Sequence, residues 1–249
     1  MSSIPPPPPL SPPPGYVPYG GVDAAGGRFQ NIGGLAKALV ILTAIGAALS
    51  LASVGLQFNL SDKADGSLSV FEDALGPFVL VGLLAAAVGI AALVVQILWT
   101  YRMASNLKTL RREGQSFRPG ATIAINILGG CTLGILPFFM WRELWKGSAP
   151  ESRAGDPNWK QNSVASILTV WLVAQLAAVG TGLTIGAGSA FGNFGTTTSN
   201  ADDLAAQLSD QIGATVIAGL LSIAVTVIFI VFIRQLTERH MKSTGESGL

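Results

Sequence analysis

Five apolar runs without an Asp, Glu, Lys or Arg residue constrain the fold of this chain more than any other feature. They cover residues 38–60, 75–101, 119–141, 161–201 and 212–233. A hydrocarbon core about 30 Å thick is crossed by roughly 20 helical residues. Backbone groups in hydrocarbon must pair within their own segment, which favours helices. The sequence therefore predicts an all-α integral membrane protein.

The distribution of the 15 Lys and Arg residues distinguishes two topologies. If all five runs cross the membrane, seven basic residues lie on one side and eight on the other. If the third run enters and returns to the same side, only Lys63 is separated from the other fourteen. Basic residues favour the cytoplasmic side, so the second topology is preferred.

We therefore predict four transmembrane helices plus one re-entrant or kinked membrane hairpin. The alternative is five transmembrane helices that ignore the charge bias. Both termini are predicted to be cytoplasmic, and the location to be the bacterial cytoplasmic (plasma) membrane. The predicted spans are about 36–58, 76–101, 164–190 and 212–233, and the hairpin segment is 119–141.

The third run has a natural breaking point at Gly129 and Gly130. Each half holds about ten residues, which reach roughly 15 Å as a helix, or half of a bilayer. Glycine and proline are common where helices bend or break. Gly129, Gly130 and the nearby Asn126 are thus the candidate hairpin turn.

The predicted domains are a tail, a membrane domain and a short C-terminus. Residues 1–32 are predicted to be a disordered, Pro/Gly-rich cytoplasmic tail, because proline removes a backbone donor and favours polyproline II. Residues 33–242 form the helical membrane domain, and 243–249 a short tail. The proline-rich tail either docks a partner or acts as a spacer.

Basic and aromatic residues flank the apolar runs. Basic side chains next to a membrane attract anionic headgroups, although they also serve as a topology signal without a specific lipid. The candidate headgroup contacts are Arg102, Lys108, Arg111, Arg112, Arg118, Arg142 and Lys146. Tryptophan is enriched at headgroup level. The predicted interfacial aromatics are Trp99, Trp141, Trp145 and Trp159.

Reactive groups are scarce in this sequence. The apolar runs contain Gln96, Asn126 and Gln175 but no ionisable carboxylate or base, whereas ion-coupled sites usually need one. The single histidine, His240, is predicted to be a solvated residue beyond the last span. We expect no catalytic residue, no cofactor and no metal site, and hence no enzyme. A net charge of +1 indicates no nucleic-acid partner.

An ordered set of short motifs carries a family resemblance. Phe117-Arg118-Pro119-Gly120 is followed by an apolar segment that ends near Pro137, and then by Met140-Trp141-Arg142-Glu143-Leu144-Trp145. This order of features resembles a bacterial membrane-protein family known only as a domain of unknown function, common in actinobacteria. The resemblance implies a membrane protein and brings no known activity.

Two functions are compatible with these features. The first is a non-catalytic scaffold or accessory subunit, whose partners would be membrane lipids, a membrane protein or a second copy, and whose tail would dock a partner. The alternative is a small transporter or channel-like protein for a neutral or lipid-like solute, because broken helices line many transport sites. In that case the third run would form the site, and Asn126 and the backbone near Gly129 would contact the solute.

Overall fold

A computed structural model of the chain describes residues 28–63, 68–192 and 201–246. The described part does not include residues 1–27, 64–67, 193–200 and 247–249, nor the side chains of residues 60–74 and 183–212. The predicted proline-rich tail therefore lies outside the described residues up to residue 27. All regular structure in the described part is helical, which confirms the all-α prediction. The helices are α1 (Gly33–Lys63), α2 (Leu68–Thr109), α3 (Pro119–Leu128), α4 (Ile135–Gly147), α5 (Ser166–Gly192) and α6 (Ala201–Thr244), with a single 3-10 turn at Trp159–Gln161.

Three stretches of helix are long and apolar enough to cross a membrane. They are Gly33–Asn59, Leu75–Thr109 and Gly213–Thr244. Two shorter apolar stretches, Pro119–Leu128 and Ser166–Gly182, accompany them. Large apolar side chains on the long helices point away from the protein, as at Leu83, which is 65% exposed. Such outward apolar faces are typical of helices that contact lipid rather than water.

The four long helices pack in the order α2, α1, α6, α5. Helix α3 packs on α2, while α4 packs on α5 and reaches α2 and α6 as well. The two short helices therefore fill the space between the outer members of the row, α2 and α5. They do so at one end of the bundle only, because they are much shorter than the helices beside them.

Helices α3 and α4 form a hairpin. Arg118 is extended, as expected before a proline, and Pro119 begins α3. At the far end of the pair, the backbone N–H groups of Ser116 and Phe117 donate to Glu143 Oε1 at 2.8 and 3.1 Å. The residues just before α3 thus lie beside the C-terminal part of α4. The third apolar run folds back on itself, and both of its ends face the same way.

Backbone groups in the turn of the hairpin form hydrogen bonds with one another. Gly129 O accepts from the N–H groups of Thr132 and Gly134, and Gly130 O accepts from Leu133 N–H. Leu133 and Gly134 both have positive φ, +53° and +82°. The predicted turn at Gly129 and Gly130 is where the chain leaves α3, and the reversal is completed over residues 129–134.

Residues 28–32, 110–118, 148–165 and 240–246 meet at one end of the bundle, here called the loop end. Arg112 is buried there, and its guanidinium donates to carbonyl oxygens of Gly147, Ala149, Ser152 and Arg153 at 2.6–3.5 Å. Burial lowers the pKa of Arg112 from its ordinary value, and the charge of Asp156 acts the other way. The prediction that Arg112 contacts lipid headgroups is wrong, because loop carbonyls surround this side chain.

A second polar cluster links the segment before α1 and the C-terminal part of α6 to the loop end. Asn106 Oδ1 accepts from Gln30 N–H at 2.8 Å, and Asn106 Nδ2 donates to Gln30 O at 2.9 Å. Asn106 Nδ2 also lies 3.1 Å from His240 Nε2, and His240 Nδ1 lies 2.7 Å from Ser148 Oγ. The prediction that His240 is solvated is wrong, since the residue is fully buried. It joins α6 to α2 and to the residue that follows α4.

Arg112→Met should destabilise the protein more than a matched change at the surface. Methionine fills similar space but leaves the four carbonyl oxygens without their donor, which costs roughly 3 kcal/mol. For a chain of this length the thermal midpoint should fall by about 6–12 °C. Thermal unfolding of the purified protein in a mild detergent measures this. Lys108→Met, at an exposed position in the last turn of α2, is the control and should shift the midpoint little. Equal shifts would contradict the structural role of Arg112.

Candidate binding cavity

A cavity of about 310 Å³ lies beside the turn of the hairpin. All six helices contribute to its wall, together with the turn itself. Its polar members are Thr43, Gln96, Asn126, Gln175 and Thr226, and its aromatic members are Trp141, Trp171 and Phe229. Ligand sites commonly have such a size, a mostly apolar wall and a few polar groups. The cavity is therefore the candidate site of this protein.

Asn126 holds the hairpin against α2. Its Oδ1 accepts from Gln96 Nε2 at 2.7 Å, and its Nδ2 donates to Thr100 Oγ1 at 2.9 Å and to the Thr122 carbonyl at 2.7 Å. Both amide hydrogens of Asn126 are thus used inside the protein. The sequence prediction placed Asn126 at the hairpin turn, as a solute contact. The structure gives it a positioning role one turn of helix before the reversal.

Two uncharged polar groups on the cavity wall have no partner in the described part of the chain. Gln96 uses only its Nε2, so its carbonyl oxygen is available. The side-chain amide of Gln175 makes no hydrogen bond there. The indole N–H of Trp141 also lacks an acceptor, but that atom is enclosed by the protein and does not reach the cavity surface. A polar group that loses water without gaining a partner is costly, so both glutamines favour a ligand that completes their hydrogen bonds.

Three aromatic rings form one side of the cavity. The ring centroids of Trp141 and Trp171 lie 4.6 Å apart at an angle of 70°, and those of Trp141 and Phe229 lie 5.1 Å apart. Phe229 also lies 6.3 Å from Trp171. Edge-to-face and tilted contacts at these distances are favourable. The rings come from α4, α5 and α6, so they also fix the hairpin against the long helices.

Gly134 allows α5 to approach the turn closely. A Cβ atom at this position would lie 3.3 Å from both Trp171 Cη2 and Gln175 Cγ. The backbone has φ of +82°, a conformation that residues with side chains rarely adopt. Two cavity residues of α5 are therefore positioned by the absence of a side chain on the hairpin.

The remaining candidate headgroup contacts lie at or near the loop end. Lys108, Arg111, Arg118 and Arg142 are exposed, while Arg102 and Lys146 are half-buried. Arg102 donates to the Asn31 carbonyl at 2.9 Å, and Lys146 donates to the Lys160 carbonyl at 2.6 Å. The six residues share one end of the protein. Their contact with lipid stays a prediction.

Three of the four predicted interfacial tryptophans are buried inside the protein. Trp99 and Trp159 are at most 1% exposed, and Trp141 is 3% exposed. Trp159 Nε1 donates to the Glu113 carbonyl at 2.9 Å, which links the two loops. The belt prediction is wrong for these three residues, because they pack against other helices and loops. Trp145 is half-buried, with the Arg239 guanidinium 5.2 Å from its ring.

The Ser148–His240 pair resembles a nucleophile and its base in distance alone. Asn106 donates to His240 Nε2, so that nitrogen carries no hydrogen, and Nδ1–H must donate to Ser148 Oγ. A base that activates serine needs the opposite arrangement. Both residues are also fully buried. The sequence did not indicate this pair, because His240 follows Ser148 by 92 residues.

Gly134→Ala should destabilise the protein more than Gly155→Ala. Both glycines have positive φ, so each substitution carries a backbone cost of about 1 kcal/mol. Only at Gly134 does the new Cβ also press on α5, since nothing lies within 4 Å of a Cβ at Gly155. The total cost at Gly134 should be roughly 2–3 kcal/mol, as overpacking adds to the strain. Thermal unfolding compares the two. A loss at Gly134 no larger than at Gly155 would contradict the close approach of α5.

Most of the chain matches one known protein-family model. Residues 63–238 match the family model described as a domain of unknown function, DUF4328. The match covers more than two thirds of the chain and includes the hairpin and most of the cavity. No curated protein and no solved structure matches the chain. The match is consistent with the predicted resemblance to an uncharacterised family, and the chain belongs to the DUF4328 family.

Proposed function

We propose that this protein is a non-catalytic, multi-spanning membrane protein that binds an uncharged, lipid-soluble molecule and passes it on. Helices α1, α2, α5 and α6 would cross the bilayer, and the α3–α4 hairpin would enter and return. The cavity beside the hairpin turn would be the binding site. The observation that carries this proposal is a cavity whose wall combines aromatic rings with the unpaired carbonyl oxygen of Gln96 and the unpaired amide of Gln175.

The distribution of basic residues supports the orientation in this proposal. The Ser116 and Phe117 contacts with Glu143 bring both ends of the hairpin to the loop end. With the hairpin returning, fourteen of the 15 Lys and Arg residues belong to the loop side, and Lys63 is the exception. Basic residues are retained in the cytoplasm, so the loop end and both termini would face the cytoplasm of a bacterial plasma membrane.

The cavity favours an uncharged ligand. No Asp, Glu, Lys, Arg or His side chain lines it in the described part of the chain. A charged group placed there would lose its hydration without gaining a counter-charge, which is costly. A neutral molecule with a hydrogen-bonding group and an apolar part loses far less. The side-chain amides of Gln96 and Gln175 match the hydrogen-bonding group of such a molecule, and the three rings match its apolar part.

A binding role is also more compatible with this chemistry than catalysis. Acid–base and nucleophilic chemistry need a titratable or nucleophilic side chain within reach of the substrate. The cavity wall offers amides, hydroxyls and aromatic rings. The histidine of the chain is enclosed by Asn106 and Ser148 at the loop end. Amides and hydroxyls hydrogen-bonded in place are better suited to holding a ligand than to transforming it.

We expect uncharged amphiphiles to raise the thermal midpoint of the purified protein saturably. The panel consists of monooleoylglycerol, oleyl alcohol and a decyl-substituted naphthoquinone, with oleate and oleylamine as charged counterparts. A ligand at a hundred times its Kd stabilises the folded state by about 2.7 kcal/mol. At least one uncharged compound should show this effect, and the charged ones should not.

Gln175→Leu tests whether the effect arises in the cavity. Leucine keeps a side chain of similar size but removes the unpaired amide, so affinity should fall about tenfold. Gln235→Leu is the matched control, because Gln235 is exposed on α6 and does not line the cavity. A scaffold or accessory subunit, the other function predicted from the sequence, would show no saturable effect but a stable protein partner. That result would overturn the proposal.

A further inference from the structure

Among the described residues, the row of long helices is open on one side beyond the hairpin. Helices α2 and α5 make no direct contact with each other there. At the loop end the hairpin fills the space between them, with α3 on α2 and α4 on α5. The hairpin reverses at residues 129–134, whereas α2 and α5 continue past the turn. The described part of the chain therefore leaves a lateral gap between α2 and α5 on the side of the turn away from the loop end.

The gap leads to the cavity along two helix faces. Gln96 of α2 and Gln175 of α5 line the cavity. Seven residues further from the loop end, and so on the same helix face about 10 Å away, lie Gly89 and Gly182. Both glycines are exposed, and a Cβ at either position would meet nothing within 4 Å. The approach to the cavity is thus bordered by positions without side chains.

The wall of the cavity indicates which molecules can use this approach. Its unpaired donor, the side-chain amide of Gln175, suits a carbonyl acceptor, and its three rings suit a flat unsaturated ring. A molecule that arrives sideways comes from the hydrocarbon and must dissolve there, which an uncharged ring with an apolar tail does. A carbonyl oxygen crosses hydrocarbon at lower cost than a hydroxyl or a charged group, since it has no hydrogen to leave unpaired.

We infer that a membrane-dissolved, carbonyl-bearing ring lipid of the quinone type enters the cavity sideways, through the gap between α2 and α5. This inference rests on the proposed function and adds the route and the ligand class. The ring lies against Trp141, Trp171 and Phe229, one carbonyl oxygen accepts from the side-chain amide of Gln175, and the tail remains in the gap. The step is binding alone, without electron transfer.

The route is tested by narrowing the gap without touching the cavity. Gly89→Leu combined with Gly182→Leu places two large side chains on the two faces that border the gap. The control combines Ala91→Leu with Gly180→Leu. These positions lie five residues from Gln96 and Gln175, hence on the opposite helix faces, and both are exposed. Both double variants add a comparable amount of apolar side chain to the same two helices.

Binding of the decyl-substituted naphthoquinone is followed by stopped-flow tryptophan fluorescence on full-length protein in nanodiscs. The naphthoquinone should quench the tryptophan fluorescence saturably. Decylnaphthalene, which lacks the carbonyls, should bind at least about tenfold more weakly. The variant with Gly89→Leu and Gly182→Leu, here called the gap variant, should slow binding and release about tenfold. It should leave Kd within about twofold, because a narrowed path changes both rates equally. The control variant should behave like the wild type. Equal thermal midpoints of both variants confirm that folding is intact.

Each alternative result has a distinct meaning. Unchanged rates in the gap variant would overturn the lateral route while leaving the binding site in place. Saturable binding of monooleoylglycerol but not of the naphthoquinone would show that the ligand is not a ring lipid. It would not contradict the lateral route. No saturable binding of any uncharged compound would overturn the proposed function, and this inference with it.

Discussion

The arrangement of the site depends on how the backbone groups form their hydrogen bonds where the third apolar run breaks. A helix that stops inside an apolar bundle leaves unpaired carbonyl and amide groups. Here the carbonyls of Gly129 and Gly130 accept from the turn itself, and Asn126 closes a network with Gln96 and Thr100 of α2. Because the break is satisfied internally, α3 and α4 can lie side by side rather than continue as one helix. The cavity exists because this hairpin stops partway along the helices around it.

The loop end supplies the rigidity that the hairpin needs. Arg112 gathers carbonyl oxygens from the segment after α4, and Asn106 binds the backbone of Gln30 before α1. His240 completes this set by joining α6 to Ser148 and Asn106. Each of these polar side chains is buried and has partners from distant parts of the sequence, which makes it costly to disturb. The bundle is thereby anchored at the loop end, while α2 and α5 make no contact with each other in the described part of the chain.

Much of the fold follows from local features of the sequence, and much of the site does not. Long uncharged runs predict helices because backbone pairing leaves few alternatives in an apolar setting, and Gly129-Gly130 predicts where the third run breaks. The roles of Arg112 and His240 could not be predicted in the same way. Their neighbours lie 35 to 134 residues away, and charge or hydropathy alone assigns such residues to the surface. Trp141 was expected at headgroup level for a similar reason: composition places tryptophan near an interface, whereas packing with Trp171 and Phe229 places it in the cavity wall.

The most direct test of this account asks on which side of the membrane the two ends of the hairpin lie. Single cysteines replace Ser116, Ser163 and Ser199 in a Cys131→Ser background. Ser116 and Ser163 are exposed and flank the hairpin, and Ser199 lies between α5 and α6. An impermeant thiol reagent applied to intact cells should label position 199 alone, and positions 116 and 163 should react only after the membrane is opened. Labelling of either 116 or 163, but not both, in intact cells would show that residues 119–141 cross the membrane, and would contradict the re-entrant hairpin on which the cavity depends.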